Sequence, residues 1–225
     1  MRDCFKSKDL KPWLSALCRQ TVTVFTALGI VWSSPLFGRS PHAPTYTKTV
    51  PVPLIGKTRE WRCIVIHHTG SSKGNEENIQ REHLRRGMEN GMAYHFLIGN
   101  GSSGLGDGAV VEGHRWKHQL QGGHSHQEYL NEHGIGICLV GNFNRSPPTP
   151  RQVRVLAQLA FSLQTRFHIT DDNIHGHGQF YGEDSDCPGR LFSWSNLWTQ
   201  INAVYLAQPP APTFKGMSTS LREGK

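Results

Sequence analysis

Cysteine is scarce: five in 225 residues, too few for a disulfide scaffold in a chain of this length. Cys63 and Cys138 lie inside the apolar runs "RCIVIHH" and "GIGICLVG", where a thiol reads as a small buried hydrophobe. Cys4 and Cys18 belong to the N-terminal stretch, so only Cys187, in "DSDCPG", has a loop setting. A concentrated basic surface is lacking too. The formal charge is +7, but residues 1–40 contribute +4 and residues 208–225 contribute +2, which leaves +1 for everything between. Basicity confined to the ends argues against a nucleic-acid-binding face. The apolar run "TVTVFTALGIVW" has twelve residues, short of the roughly 20 that a comfortable membrane span needs. No internal repeat is present, and the length suits one domain with a proper core better than two large ones.

That apolar run follows a basic stretch, "MRDCFKSKDLKPWLSALCRQ". A charged start and a short hydrophobic segment are the pattern of a secretory signal. Residues 1–40 are therefore expected to direct export to the periplasm or cell envelope. A cleaved signal and a short membrane anchor both stay open, because "SSPLFGRS" offers small residues beside an awkward Pro35. A Pro-rich linker, 41–57, comes next.

Strand-like and helix-like segments then alternate. "CIVIHH" is β-branched, and "MAYHFLIG" and "GIGICLVG" read as two further strands. "NEENIQREHLRRGMEN" has helical composition with Asn and Gly at its end. "TPRQVRVLAQLAFSLQTRF" opens on a Thr-Pro start signal and places Val153, Leu156, Leu159, Ala160 and Leu163 at helical spacing. "NIHGHG" reads as a short last strand and "LFSWSNLWTQINAVYLA" as a closing amphipathic helix. The alternation implies an α/β domain over 58–206, a central sheet flanked by helices. The tail, 207–225, has nothing to pack and is expected to be disordered.

His67, the His175/His177 pair and Cys187 fall at the ends of predicted strands or in the loop that follows. Imidazole and thiolate are ligands zinc prefers, and three protein ligands with an open fourth position describe a catalytic site. Thirteen histidines make chance constellations common, so these residues alone leave zinc and unrelated histidines both open. Strand alternation would project His175 and His177 to one side, which makes His175 a rival ligand. The Pro-Cys-x-x-Cys of zinc base deaminases does not occur.

Four motifs taken in order, "IVIHHTG", "GMAYHFLIGNG", "GGHSHQEYLNEHGIGICLVGNF" and "IHGHGQFYGEDSDCPG", resemble the zinc-dependent N-acetylmuramoyl-L-alanine amidases, the family of phage lysozyme-like amidases and peptidoglycan recognition proteins. The resemblance covers about residues 58 to 206. It implies a single amidase-like domain with a central mixed β-sheet, Zn2+ as cofactor, and a peptidoglycan or muropeptide substrate. By position it implies metal ligands His67, His177 and Cys187, a catalytic Tyr94, and His124 and Asn131 along the substrate groove. It leaves His68 and His95 without chemistry. Two departures stand out: Ser185 where some members carry lysine and others threonine, and a long "GNGSSGLGDGAVVEG" loop near the groove. The implied reaction is cleavage of the amide between N-acetylmuramic acid and L-alanine. The same family includes members that bind muropeptides without cutting them.

Overall fold

Strand β1 (Cys63–His68) lies at the middle of the sheet, and its first five residues are buried, which is why it reads as an uninterrupted apolar run rather than an alternating one. The computed structural model describes residues 58–208. The expected leader, the linker and the tail from 209 onward lie outside the described residues, and with them the expectation of export or anchoring. No helix among the described residues is long and apolar enough to cross a membrane.

Parallel strands flank β1 on both sides, β4 (Gly134–Leu139) and β5 (Ile174–Gly176), with His67 level with Cys138 and Ile66 level with Ile137 and Gly176. Beyond β4 runs the parallel β2 (Phe96–Ile98), and β3 (Val110–Glu112) closes the edge antiparallel to it. The order is β3-β2-β4-β1-β5, a mixed five-stranded sheet. The predicted "MAYHFLIG" strand shortens to β2 because its first half pairs elsewhere: the Ala93 N–H donates to His83 Nδ1 (3.0 Å), and the Ala93 carbonyl accepts from Gly123 N (3.0 Å).

Alternation along the strands sorts the two faces. Ile64, Ile66, Ile135, Ile137 and Leu139 join the main core with Leu156, Leu159, Ala160, Leu163 and Leu197, contributed by α4 (Pro150–Phe167) and α5 (Trp194–Leu206). Cys63 and Val65 face the other way, against Leu130 and Phe180, and Cys138 joins Met92, Leu97 and Val140 there. That second face is covered by α1 (Glu76–Arg85) and α3 (Glu128–His133), through Ile79 and Leu130, whereas the single turn α2 (His114–Lys117) puts Trp116 into the main core. His67 follows Cys63 and Val65 in the same alternation. It therefore emerges on the face away from α4 and α5.

Candidate metal centre and groove

His67, His177 and Cys187 each present one ligand atom, and these atoms lie within 4.8 Å of one another. His67 is the penultimate residue of the central strand, buried to 2% exposure. His177 begins a 3-10 turn, His177–Gln179, directly after β5. Cys187 returns from the following loop, which is closed by Gly178 N donating to the Cys187 carbonyl (2.7 Å). The loop packs so closely that a Cβ on Gly178 would collide with the Ser185 carbonyl. Because the strand ends at Gly176, alternation no longer relates His175 to His177. His175 bonds the Asp172 carbonyl through Nε2 (2.6 Å) and packs on Phe180, outside the cluster.

Hydrogen bonds determine which nitrogen of His67 is available. The Gly134 carbonyl can only accept, so His124 donates to it from Nε2 (3.2 Å), and His124 Nδ1 then accepts from His67 Nε2 (3.3 Å). His67 is left with a bare Nδ1, and that atom lies 3.7 Å from Cys187 Sγ. A tetrahedral zinc at usual bond lengths separates an N and an S ligand by about 3.6 Å. The donor set, two imidazoles and a thiol, and this spacing fit zinc.

The electrostatics suit neutral imidazoles. Burial, and then the neighbouring His124 and His177, hold His67 well below its ordinary value. Burial likewise lowers His177, outweighing the opposing carboxylate of Glu183. Without a metal, burial pushes the Cys187 thiol up to about 12, against the hydrogen bond from His68 N. Metal binding at this site therefore has to displace the thiol proton.

Tyr94 stands beside the cluster, its ring 5.0 Å from that of His67 and 5.6 Å from that of His83. Burial, and then the Cys138 and Cys187 thiols, raise the phenol well above its ordinary value, and it shares a hydrogen bond with Cys138. Two adjoining cavities of about 300 Å³ each meet at Tyr94, His83 and Arg86. One runs past Thr69, Ser71 and Lys73. The other runs past His124, Ser125, His126 and His177. The long loop before β3 braces the first, with Asn100 Nδ2 donating to the Ser72 carbonyl (3.0 Å) and Asn75 Nδ2 to that of Ser103 (2.9 Å).

His124 reaches the groove wall with both ring nitrogens engaged internally, as a brace beneath His67. A Cβ on Gly136 would strike its ring, so glycine there makes the room. The Asn131 amide serves the loop: Oδ1 accepts from His124 N (2.9 Å) and Ser125 N (3.1 Å), and Nδ2 donates to the Ser125 carbonyl (2.9 Å). Ser185 is exposed, its hydroxyl accepting from Cys187 N (3.1 Å). His68 and His95 hold backbone: His68 Nδ1 accepts from Phe143 N (3.1 Å) and His95 Nδ1 from Gly136 N (2.9 Å).

Three residues at the site carried no signal in the pattern reading. His83 lines both cavities, and its place in a thin-striped helix gave no hint of that. Arg115 is buried and joins the segments next to the groove-lining Ala93 and Gly123 through the Met92 (3.0 Å) and Gln121 (2.6 Å) carbonyls. Glu183 is buried against His177, with its Oε2 2.8 Å from Nε2. Hydrogen bonds and the His177 imidazole outweigh its burial and hold its carboxyl below the ordinary value.

A family model described as N-acetylmuramoyl-L-alanine amidase matches residues 57–190, and the chain belongs to that family. Among its relatives, peptidoglycan-recognition protein SC2 of Drosophila melanogaster is 31% identical over 146 residues, which is 61% of this chain and 70% of that protein. A peptidoglycan recognition protein of Trichoplusia ni is 31% identical over 150 residues, 62% of this chain and 76% of that one. In structure, the N-acetylmuramoyl-L-alanine amidase LysC from Clostridium intestinale aligns with a TM-score of 0.53 at 28% identity, covering 64% of this chain and 87% of that chain.

Proposed function

We propose that this protein is a zinc-dependent amidase that cleaves the bond between N-acetylmuramic acid and L-alanine in peptidoglycan or muropeptides, acting outside the cytoplasm. The observation that carries the reading is the convergence of His67, His177 and Cys187 within 4.8 Å of one another, His67 Nδ1 and Cys187 Sγ at the separation of two zinc ligands, beside a protonated Tyr94. Recognition without cleavage would require no such donor set. When bound, zinc would polarise the amide carbonyl and supply a nucleophile at neutral pH.

The chain's own residues do the rest. The groove that meets at His83, Arg86 and Tyr94 would seat the stem peptide on one side and the sugar on the other. Tyr94, whose phenol keeps its proton, would donate a hydrogen bond to the oxygen that gains charge as the amide is attacked. His124 would hold His67 in register, and Asn131 would hold the loop that carries His124.

Purified protein is expected to contain about one equivalent of zinc and to release from peptidoglycan free stem peptides that begin with L-alanine, read by mass analysis. Metal-loaded protein that binds muropeptides but releases no peptide would make it a recognition protein, the activity named in its Drosophila and Trichoplusia relatives.

A further inference from the structure

Residues 181–186, "YGEDSD", contain three carboxylates; Asp184 and Asp186 are exposed, whereas the Glu183 side chain has no exposed surface. A buried carboxylate is costly unless hydrogen-bonded. Glu183 is well supplied: Oε1 accepts from the Ser125 hydroxyl and from His126 N (2.9 Å), and Oε2 accepts from His177 Nε2 (2.8 Å).

We infer that Glu183 is a positioning residue of the metal centre, fixing the tautomer of His177 and tying that ligand to the groove wall at Ser125 and His126. A carboxylate accepts only, so Nε2 of His177 must carry the proton and the lone pair of a neutral ring sits on Nδ1. Ligand histidines are commonly oriented in this way, the far nitrogen donating to a carboxylate that also raises the ring's basicity. The other two donors to Glu183 come from residues that line the groove. One carboxylate thus couples the place of a metal ligand to the place of a substrate-facing wall. Glutamine cannot replace it, because an amide offers one acceptor oxygen and turns an N–H2 group toward either His177 Nε2–H or the Ser125/His126 donors. The metal half of the inference rests on the zinc reading above; the tautomer rests on geometry alone.

Two measurements on the full chain test it. The first is zinc affinity, by chelator competition, of the parent and of Glu183→Gln. The second is ¹⁵N NMR of the His177 ring in the metal-free parent near pH 8. The parent ring is expected to show a protonated Nε2 and a bare Nδ1, and the variant to bind zinc roughly 10- to 100-fold more weakly. Parental affinity in a folded Glu183→Gln overturns this inference and leaves the zinc reading standing. A parent that binds no zinc overturns the zinc reading and the metal half of the inference, and the ring spectrum then decides the tautomer. Should the variant fail to fold, the parent ring decides: a protonated Nδ1 there overturns the inference.

Discussion

Tyr94 and Glu183 show how differently two site residues can be written in a sequence. The phenol of Tyr94 is raised by burial and by two thiols, so it remains a donor across the working range of pH. Tyr94→Phe removes that donor and nothing that ligates metal. Zinc content and muropeptide binding are expected to persist while turnover falls by roughly 10² to 10³, the usual effect of losing one donor to a developing oxyanion. Near-parental turnover, measured by release of stem peptide, would return Tyr94 to a packing role. The grouping of Tyr94, His67, His177 and Cys187 in the candidate site was legible because each stands in a short motif. Glu183 was not, because nothing in "YGEDSD" tells which of its acids is buried. His124 was legible as a position but not as a brace, since that use depends on where the Gly134 carbonyl points.

Elements long enough to show a period were legible. Helix α4 is the clearest, with Thr149 Oγ1 accepting from Gln152 N (3.0 Å) and Gln152 Oε1 accepting from Thr149 N (3.1 Å), a complete capping box. The same Thr149 hydroxyl donates to Asp107 in the loop before β3 (2.6 Å), a contact no local pattern announces. Thr149→Ala should therefore cost about 1 to 2 kcal/mol, the upper part of the range for a cap, read as a lower urea midpoint with an unchanged slope. Zinc content should not change, because α4 lies across the sheet from the proposed ligand His67. Strand β3 and helices α2 and α3, three to six residues each, escaped the reading: segments so short complete too little of a repeat to declare a type. The 3-10 turn at His177 escaped it for a related reason, and with it went the alternation that had made His175 a rival.

The molecule as a whole carries an acid liability in its buried histidines. Burial, and then His124, hold His95 well below its ordinary value, and burial lowers His124 to about 4 despite the opposing hydrogen bond to Gly134. In the unfolded chain both protonate near 6.5. Between about 6.5 and about 4 the unfolded state thus binds more protons, and stability falls as the pH falls through that window, by at most about 1.4 kcal/mol per pH unit for each such histidine. Urea midpoints of chelator-treated protein at pH 7.5, 6 and 5 check this; a flat profile would mean that these rings protonate without unfolding. The position of β1 has its own kinetic corollary. With hydrogen-bonded strands on both sides, its amides belong to the part of a domain that exchanges with solvent last, whereas the turn and loop carrying His177 and Cys187 can open locally. The first of the proposed ligands is thus anchored in the slowest-opening segment and the other two in a faster one, so an ion held there would leave by way of the 177–187 loop while His67 stays in place to receive the next.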